Sequence, residues 1–368
     1  MSDTLMVIVG CDCDPDRPRY GGTRYDDRTS LPRWRGLTEG IDILRECLRD
    51  VENASGLKPK IAFCLRSDTQ MKDLYGTASW SLEEFGDTWR ELKEEGHELA
   101  WHPHLWRWSD EKACWIQEIH DSQWIVACLE VGFSEFSRTL GEEPVTCHMG
   151  WTYHSNTTMK KVSELGLKVD FSASPGVFYE GGPGDDGTTY DNMIDWRGTP
   201  LRWYHPSEAD YRRPVRGNEK ELAIVEIPKF TSRSALLKKA KELGTRTRPV
   251  SGGKRGTSVL FQVTILPALF NRFTKERLKS KEADPFFATY FHPDELLADK
   301  PRSARGAVYS RENLKKNLLT IIRAARKKGR DVTFATGADA FRYIQEKVGD
   351  YGEGADSRES GYDGVTGP

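Results

Sequence analysis

The chain has 368 residues and a formal net charge of −2, from 54 Lys and Arg against 56 Asp and Glu. This balance supplies no broad basic field for a phosphate backbone, so the sequence predicts no nucleic-acid partner. With 37% hydrophobic and 30% charged residues, the chain is not disordered, and its apolar runs are too short to span a membrane. The length allows two domains or one large α/β barrel.

The N-terminus and the cysteines predict a cytoplasmic protein with reduced thiols. Asp3 stands where a signal peptide carries a basic residue, and the apolar run at 5–9 is too short for its hydrophobic region. The seven cysteines are scattered and include no Cys-x-x-Cys pair, which argues against a disulfide framework or a thiolate zinc site. Nothing in the sequence indicates the oligomeric state.

Short apolar β-type runs alternate with helical patterns, which is typical of β-α units around a parallel sheet. The predicted strands are 5–11, 60–65, 97–102, 145–149, 167–171, 222–227, 286–291 and 331–335. The predicted helices are 38–51, 81–96, 111–140, 157–165, 232–243, 310–328 and 338–348. The helix at 81 is predicted from Ser81 and Glu84, which have capping-box spacing.

Three segments depart from this alternation. Segments 176–210 and 245–282 have little periodicity, and we interpret them as insertions on one domain covering 1–348. From Gly349 onward the chain is rich in Gly, Ser and acidic residues. Such a composition cannot bury enough apolar surface to offset the entropy of ordering, so 349–368 is predicted to be a disordered tail.

Titratable residues follow several predicted strands directly. In a parallel β/α barrel the carboxyl ends of the strands form the active-site edge. Four of the eight histidines lie there, although a single histidine at a strand end is more often structural. The polar residues at these ends are Asp12, Asp14, Arg66, Asp68, His102, His104, His148, Asp170, Ser172 and His292. Their concentration predicts a metal site or an acid-base site.

The segment His102-Pro103-His104 is the sharpest local signal. Residues i and i+2 of an extended segment project to the same side, so both imidazoles can face one ion. A carboxylate from Asp14 completes a set of two histidines and one carboxylate with an open position for water. The alternative is that one histidine binds and the other packs or positions substrate.

Asp12 and Asp14 place two carboxylates on one side of an extended strand end. Two anions this close require a cation between them or a proton on one of them. The natural division is a metal ligand and a general base. Alternatively, Asp14-Pro15-Asp16 forms an Asx turn.

His292 ends the apolar strand at 286–291. Because an imidazole titrates near neutral pH, it can donate a proton to a departing amine. It also precedes Pro293 and Asp294, so it can belong to the N-terminal region of a short helix. The two roles are compatible.

In these motifs and their order, the segment from Met6 to about Tyr343 resembles the polysaccharide deacetylase family. This is carbohydrate esterase family 4, also called the nodulation-protein-B homology domain, and the likeness is to its longer cytosolic branch. The resemblance implies a distorted (β/α)7 TIM-like barrel that uses a divalent metal to remove acyl groups, most often acetyl, from sugars. It also implies that Asp12 is the base, that Asp14 and His102 are metal ligands and that His292 is the acid.

The chain departs from the family pattern at two positions. Trp106 stands where the second histidine ligand is expected, which leaves His104 as the nearest substitute. His148 stands where an arginine normally holds the catalytic aspartate, so it either tunes Asp12 or is itself a ligand. Two further positions, Asp170 and Trp196, resemble the family's Asp-x-Ser segment and its substrate-facing insertion.

The sequence therefore predicts a metal-dependent hydrolase that removes an N-acyl group, acetyl first, from a sugar or glycan precursor. Zinc is the first choice of metal, with Co, Mn, Ni or Fe as alternatives. Half of a set of six tryptophans are expected to form a sugar platform: Trp101, Trp106, Trp108, Trp151, Trp196 and Trp203. The rival interpretations are a non-catalytic glycan-binding or scaffold barrel and an iron-dependent oxygenase, which requires a double-stranded β-helix.

Overall fold

The computed structural model describes residues 4–16, 31–180, 193–239, 254–256, 258–279, 285–298 and 309–352. The strands are β1 (Thr4–Cys13), β2 (Ala62–Leu65), β3 (Glu98–Trp101), β4 (Trp106–Ser109), β5 (Cys114–Gln117), β6 (Thr146–Cys147), β7 (Val169–Asp170), β8 (Phe178–Glu180), β9 (Met193–Asp195), β10 (Val225–Glu226), β11 (Thr231–Ser232), β12 (Lys254–Arg255), β13 (Val259–Leu260), β14 (Phe286–Phe291) and β15 (Asp331–Ala335).

Eight of these strands form one curled parallel sheet. Its order is β10-β7-β6-β3-β2-β1-β14, and β15 pairs with the first half of β1 beside β2. A parallel bridge between Lys229 and Ala288 connects the chain after β10 to β14, so the curl brings the two edges of the sheet together. All eight predicted strands lie in this sheet, which confirms the predicted β/α barrel class.

The alternation of side chains along the strands divides the apolar residues into two clusters. In β1, Met6 and Ile8 belong to a cluster shared with strands far away in the sheet, such as Val225 of β10. Contact between such distant strands places this cluster on the concave inner face. Leu5 and Val7 belong instead to the larger cluster that includes the helices.

The helices cover the outer face of the sheet and mostly match the predicted positions. Their bounds are Arg35–Thr38, Gly40–Ser55, Thr69–Tyr75, Trp80–Glu84, Gly86–Glu94, Ser122–Leu140, Asn156–Glu164, Pro267–Arg277, Arg311–Arg326 and Gly337–Gly352, with 3-10 turns at Gly150–Thr152 and Pro293–Leu296 and helical residues at 235–239. Of the predicted helix 232–243, residues 240–243 lie outside the described part.

Two helix predictions were wrong in detail. The predicted helix 81–96 is two helices, and Ser81 is not its cap, because the Ser81 hydroxyl donates to the carbonyl of Arg66 (2.9 Å). The predicted helix 111–140 begins only at Ser122, because the preceding residues form the antiparallel hairpin of β4 and β5. Asp121 caps the true start by accepting from Trp124 N (3.0 Å).

The segments interpreted as insertions contain small antiparallel sheets. β12 pairs with β8, which pairs with β9, so a strand from 245–282 joins two from 176–210. β11 pairs with β13 in the same region. The last helix runs to Gly352, four residues beyond the predicted end of the domain, and the rest of the predicted tail lies outside the described residues.

The cysteines and the helices concern the environment of the chain. All seven cysteines are buried, and none is bridged to another. Among the helices of the described ranges, none is both long enough and apolar enough to traverse a bilayer.

Candidate active site

The inward-facing side chains of the sheet change from apolar to polar at its carboxyl edge. In β1, Ile8 is followed two and four residues later by Gly10 and Asp12, and directly after β10, Ile227 is followed two residues later by Lys229. The residues brought together are Asp12, Asp14, Arg66, His102, His104, His148, Lys229 and His292. All are at most 4% exposed except His292, whose side chain is 12% exposed.

Asp14, His102 and His104 meet at one point. The Nε2 atoms of His102 and His104 are 3.1 Å apart. Asp14 Oδ1 lies 3.3 Å from His104 Nε2, and Asp14 Oδ2 lies 3.7 Å from His102 Nε2. Ligands about 2.1 Å from a tetrahedral ion are roughly 3.4 Å from one another. One nitrogen of each histidine and one oxygen of Asp14 lie within 4.8 Å of one another, close enough for one ion to contact all three.

Hydrogen bonds at the Nδ1 atoms, on the side away from Asp14, orient both imidazoles. His102 Nδ1 donates to the carbonyl of His148, which leaves the Nε2 lone pair facing Asp14. Trp106 Nε1 donates to His104 Nδ1 (2.8 Å). A Cβ on Gly150 would overlap the imidazole of His104, so only glycine fits against this ring.

A buried guanidinium holds Asp14 from the other side. Arg66 donates from Nη1 to Asp14 Oδ1 (3.0 Å), from Nε to Asp68 Oδ2 (2.6 Å) and from Nη2 to Gln70 Oε1 (2.9 Å). Burial raises the pKa of Asp14, but His104 and His102 outweigh it and hold that pKa well below its usual range. Asp14 is therefore an anion at neutral pH.

Asp12 is the end of a second chain of hydrogen bonds. His148 Nδ1 lies 2.7 Å from Asp12 Oδ1. Lys229 Nζ lies 2.7 Å from His148 Nε2 and donates to the carbonyls of Phe171 (2.8 Å) and Ser172 (2.9 Å). An ammonium can only donate, so His148 Nε2 accepts and its Nδ1 proton goes to Asp12.

The electrostatics agree with this direction of donation. Burial raises the pKa of Asp12, but His148 and His102 together bring it below its usual value, so it is anionic. Burial, with the nearby charge of Lys229, lowers the pKa of His148 to about 4, which keeps its imidazole neutral. Burial also lowers the pKa of Lys229, to about 8.

Asp12, His102 and His148 form a second group with donor atoms within 4.8 Å of one another. Both ring nitrogens of His148 are engaged, however, one with Asp12 and the other with Lys229. In this arrangement His148 holds Asp12 through its Nδ1 proton, and its Nε2 lone pair accepts from Lys229.

His292 approaches the two aspartates from β14. Its Nε2 lies 3.7 Å from Asp12 Oδ2 and 3.9 Å from Asp14 Oδ2. Its Nδ1 lies 3.1 Å from Glu295 Oε1, and Gln262 Nε2 also donates to that oxygen (2.7 Å). His292 also directly precedes the 3-10 turn Pro293–Leu296, at the N-terminal end of a short helix. Its role as an acid stays a prediction.

Of the remaining sequence candidates, Asp170 and Trp196 lie away from this cluster, whereas Trp106 contacts its His104. Asp170 is on the opposite face of β7, where it accepts from Ser172 N (2.7 Å) and contacts His154 Nε2 (3.2 Å). Trp106 and Trp196 are 1% and 0% exposed, so neither presents a face on which a sugar can stack. Of the six tryptophans, those that stay partly exposed are Trp108, Trp151 and Trp203.

The sequence interpretation missed two residues of the site and left a third outside its candidate list. Lys229 follows Val225 and Ile227 at i+4 and i+2, so the alternation of β10 is a signal that could have found it. Glu295 stands three residues after His292, one turn along a short helix. Arg66 was noted at its strand end but was not assigned to the site.

No family model matches the sequence, and no curated protein matches it. Several solved structures are similar to this chain in fold. A structure from Parabacteroides distasonis, provisionally assigned as a glycoside hydrolase/deacetylase, is 13% identical with a TM-score of 0.52 over 94% of this chain and 72% of that one. Provisionally assigned polysaccharide deacetylases from Mycobacterium smegmatis and Pseudomonas aeruginosa are 13% and 14% identical, with TM-scores of 0.48 and 0.47, over 94% of this chain and 92% of each. The first likeness establishes the fold, and the resemblance to the polysaccharide deacetylase family is confirmed at that level: the chain has that family's curled β/α barrel.

Proposed function

We propose that this chain is a hydrolase that uses a divalent metal ion to remove an N-acyl group, acetyl first, from a sugar or glycan precursor. One observation carries the proposal: an anionic Asp12, held by His148 and Lys229, lies in the same cleft as the ion-sized donor set of Asp14, His102 and His104. The chain shares its fold with a structure provisionally assigned as a glycoside hydrolase/deacetylase, and the proposal rests on the residues of the site because a fold alone does not identify a reaction.

Asp14, His102 and His104 would hold the ion. The fit rests on the separations of their donor atoms and on the Nδ1 hydrogen bond of His102, which directs its Nε2 lone pair inward. Imidazole with carboxylate suits zinc first, and also Co, Mn, Ni or Fe. When bound, such an ion lowers the pKa of its water and polarises an acyl carbonyl.

Asp12 would act as the general base. Its Oδ1 accepts the Nδ1 proton of His148, which fixes the orientation of the carboxylate, and its Oδ2 faces the cleft near His292. Because Asp12 is anionic at neutral pH, it can accept the proton of an attacking water. Lys229 acts through His148 and is a positioning residue.

His292 would act as the general acid toward the leaving amine. Glu295 holds its Nδ1, so its Nε2 points toward the two aspartates. It is the most exposed residue of the cluster, which is where a group that meets the departing part of a substrate is expected. Proton donation by such a group contributes about 10²- to 10⁴-fold to a rate.

The test measures acetate release from N-acetylated sugars in free, nucleotide-linked and lipid-linked form, together with metal content. Asp12→Asn should retain the metal and lose at least about 100-fold in rate. Asp14→Asn should lose both metal and activity. Asp87→Asn, the same change at an exposed helix position, is the matched control.

The opposite outcome is also defined. A protein without stoichiometric metal, with no acetate release and no response to chelators, would contradict the hydrolase and favour a non-catalytic glycan-binding barrel. The iron-dependent oxygenase interpretation loses its basis, because the main sheet of the described residues is parallel and is not a double-stranded β-helix.

A further inference from the structure

The hydrogen bond between Trp106 and His104 fixes where His104 carries its proton. An indole Nε1–H only donates, so His104 Nδ1 must accept through a lone pair (2.8 Å). A neutral imidazole has one proton, which must then be on Nε2. That Nε2 proton points at Asp14 Oδ1 (3.3 Å) and His102 Nε2 (3.1 Å).

This tautomer of His104 is compatible with a site that holds no ion and incompatible with an ion bound to His104 Nε2. A metal-bound imidazole nitrogen has no proton, and the other nitrogen donates outward, as His102 Nδ1 does to the carbonyl of His148. His104 shows the reverse arrangement. To bind an ion, its proton must move from Nε2 to Nδ1, where it meets the Trp106 N–H and the hydrogen bond is lost.

We propose that Trp106 controls metal loading at this site by holding His104 in the tautomer that cannot bind, so that a divalent ion engages Asp14 and His102 first and recruits His104 only when the Trp106 bond breaks. This inference rests on the proposed function, because it concerns the same ion. The proton count of His104 does not change. One N–H moves between its two nitrogens.

The surroundings of Trp106 resist that rearrangement. The Trp106 indole is buried and lies nearly parallel to the His104 ring, with centroids 6.1 Å apart. Trp151 packs edge-on against it at 6.2 Å. Trp151 and Thr152 have φ values of +58° and +52°, which are strained for side chains of these types. Release of Trp106 therefore involves the 3-10 turn that carries Gly150.

The test is the Zn²⁺ affinity of the full chain, measured by competition with a chelating dye. Trp106→Phe keeps an aromatic ring and removes the N–H, so it should bind Zn²⁺ at least about tenfold more tightly than wild type. Trp108→Phe is the matched control, because the Trp108 indole donates to Asp110 at the surface, and it should leave the affinity unchanged.

A double-mutant comparison isolates the role of His104. His104→Ala should weaken Zn²⁺ binding by less than about threefold in wild type. The change removes a ligand, but it also removes the need to break the Trp106 hydrogen bond before that ligand can bind. In the Trp106→Phe background the same change should cost more than about tenfold. Equal effects in the two backgrounds would overturn the proposal.

A second measurement covers the case in which Trp106→Phe does not fold. In wild-type protein labelled with ¹⁵N in its indoles, the resonance of Trp106 should shift on addition of Zn²⁺ as its bond to His104 breaks. An unmoved resonance at saturating Zn²⁺ would overturn the role of Trp106 alone. If neither wild type nor any variant binds Zn²⁺, the metal-dependent function fails with it.

Discussion

Lys229 is a fully buried cation that holds His148 beside Asp12. Its three ammonium protons have three acceptors within 2.9 Å, namely His148 Nε2 and the carbonyls of Phe171 and Ser172. It also lies at the bridge to Ala288 that joins the edges of the sheet. Its charge is thereby buried, fully hydrogen-bonded and placed to fix the proton of His148.

Lys229→Met should therefore have two separable effects. Three buried acceptors lose their donor, so the free energy of unfolding should fall by about 2–4 kcal/mol, measured by urea unfolding. His148 should lose its fixed tautomer, which its ¹⁵N resonances would report, and acetate release should fall at least tenfold. Lys315→Met, at an exposed ion pair with Asp50, is the control. Unchanged His148 resonances in the folded variant would contradict the positioning role.

At this scale the sequence locates the acids and histidines but not their partners. Asp12, Asp14 and His102 could be grouped because parallel strands end at one edge of the sheet. The hydrogen bond from Lys229 to His148 joins residues 81 positions apart and depends on how the sheet curls. The tautomers of the histidines follow from such bonds, so no spacing in the sequence indicates them.

The accuracy of the predicted elements follows the strength of their patterns. The strands were predicted because buried parallel strands are short apolar runs between turns, and β14 and β15 agree with the structure at both ends. The hairpin of β4 and β5 was misread because Glu111, Lys112 and Ala113 have high helix propensity. Pairing between the two strands overrides that preference, with a turn that gives Ala113 a φ of +47°.

Close contact between two elements holds His292 in place. The helix Gly40–Ser55 begins against the turn after His292, and a Cβ on Gly40 would lie 2.7 Å from the carbonyl oxygen of Pro293. Gly36, in the preceding short helix, approaches Asp294 equally closely. Glycine at these positions lets the turn lie directly on the helix backbone.

Gly40→Ala should therefore destabilise the chain by about 1–3 kcal/mol, because it forces the turn away from the helix. Gly86→Ala is the matched control, since Gly86 also begins a helix and its added Cβ would meet nothing within 4 Å. That change should be neutral or slightly stabilising. Urea unfolding of both variants measures the difference, and equal stabilities would show that the turn yields without cost.

On the scale of the whole molecule, the inner face of the barrel has an apolar part, which stabilises the fold, and a charged part, which forms the candidate site. Its lower part is apolar, from Met6 and Ile8 across to Ala288, and its upper part holds the charged cluster. Several imidazoles are buried in this fold. Burial lowers the pKa of three of them to about 4, namely His97, His104 and His148. Each favours the folded state only while it is neutral.

His97 allows this effect to be measured away from the site. Its Nδ1 accepts from Ile61 N (3.1 Å), so the folded state requires an unprotonated nitrogen there. Burial lowers its pKa to about 4, against about 6.5 in an unfolded chain. Between these values the unfolded state binds the extra proton, so the stabilising contribution is complete above pH 6.5 and is lost as the pH falls toward 4.

Wild-type stability should consequently fall between pH 7 and pH 5 by about 2 kcal/mol more than that of His97→Gln, whose amide oxygen can accept from Ile61 N and does not titrate. Urea unfolding at pH 7, 6 and 5 gives the two slopes. His120→Gln, the same substitution at an exposed imidazole, is the control and should keep the wild-type slope. If His97→Gln also keeps that slope, His97 takes up its proton in the folded state, and the acid sensitivity of the fold arises at the buried imidazoles of the site.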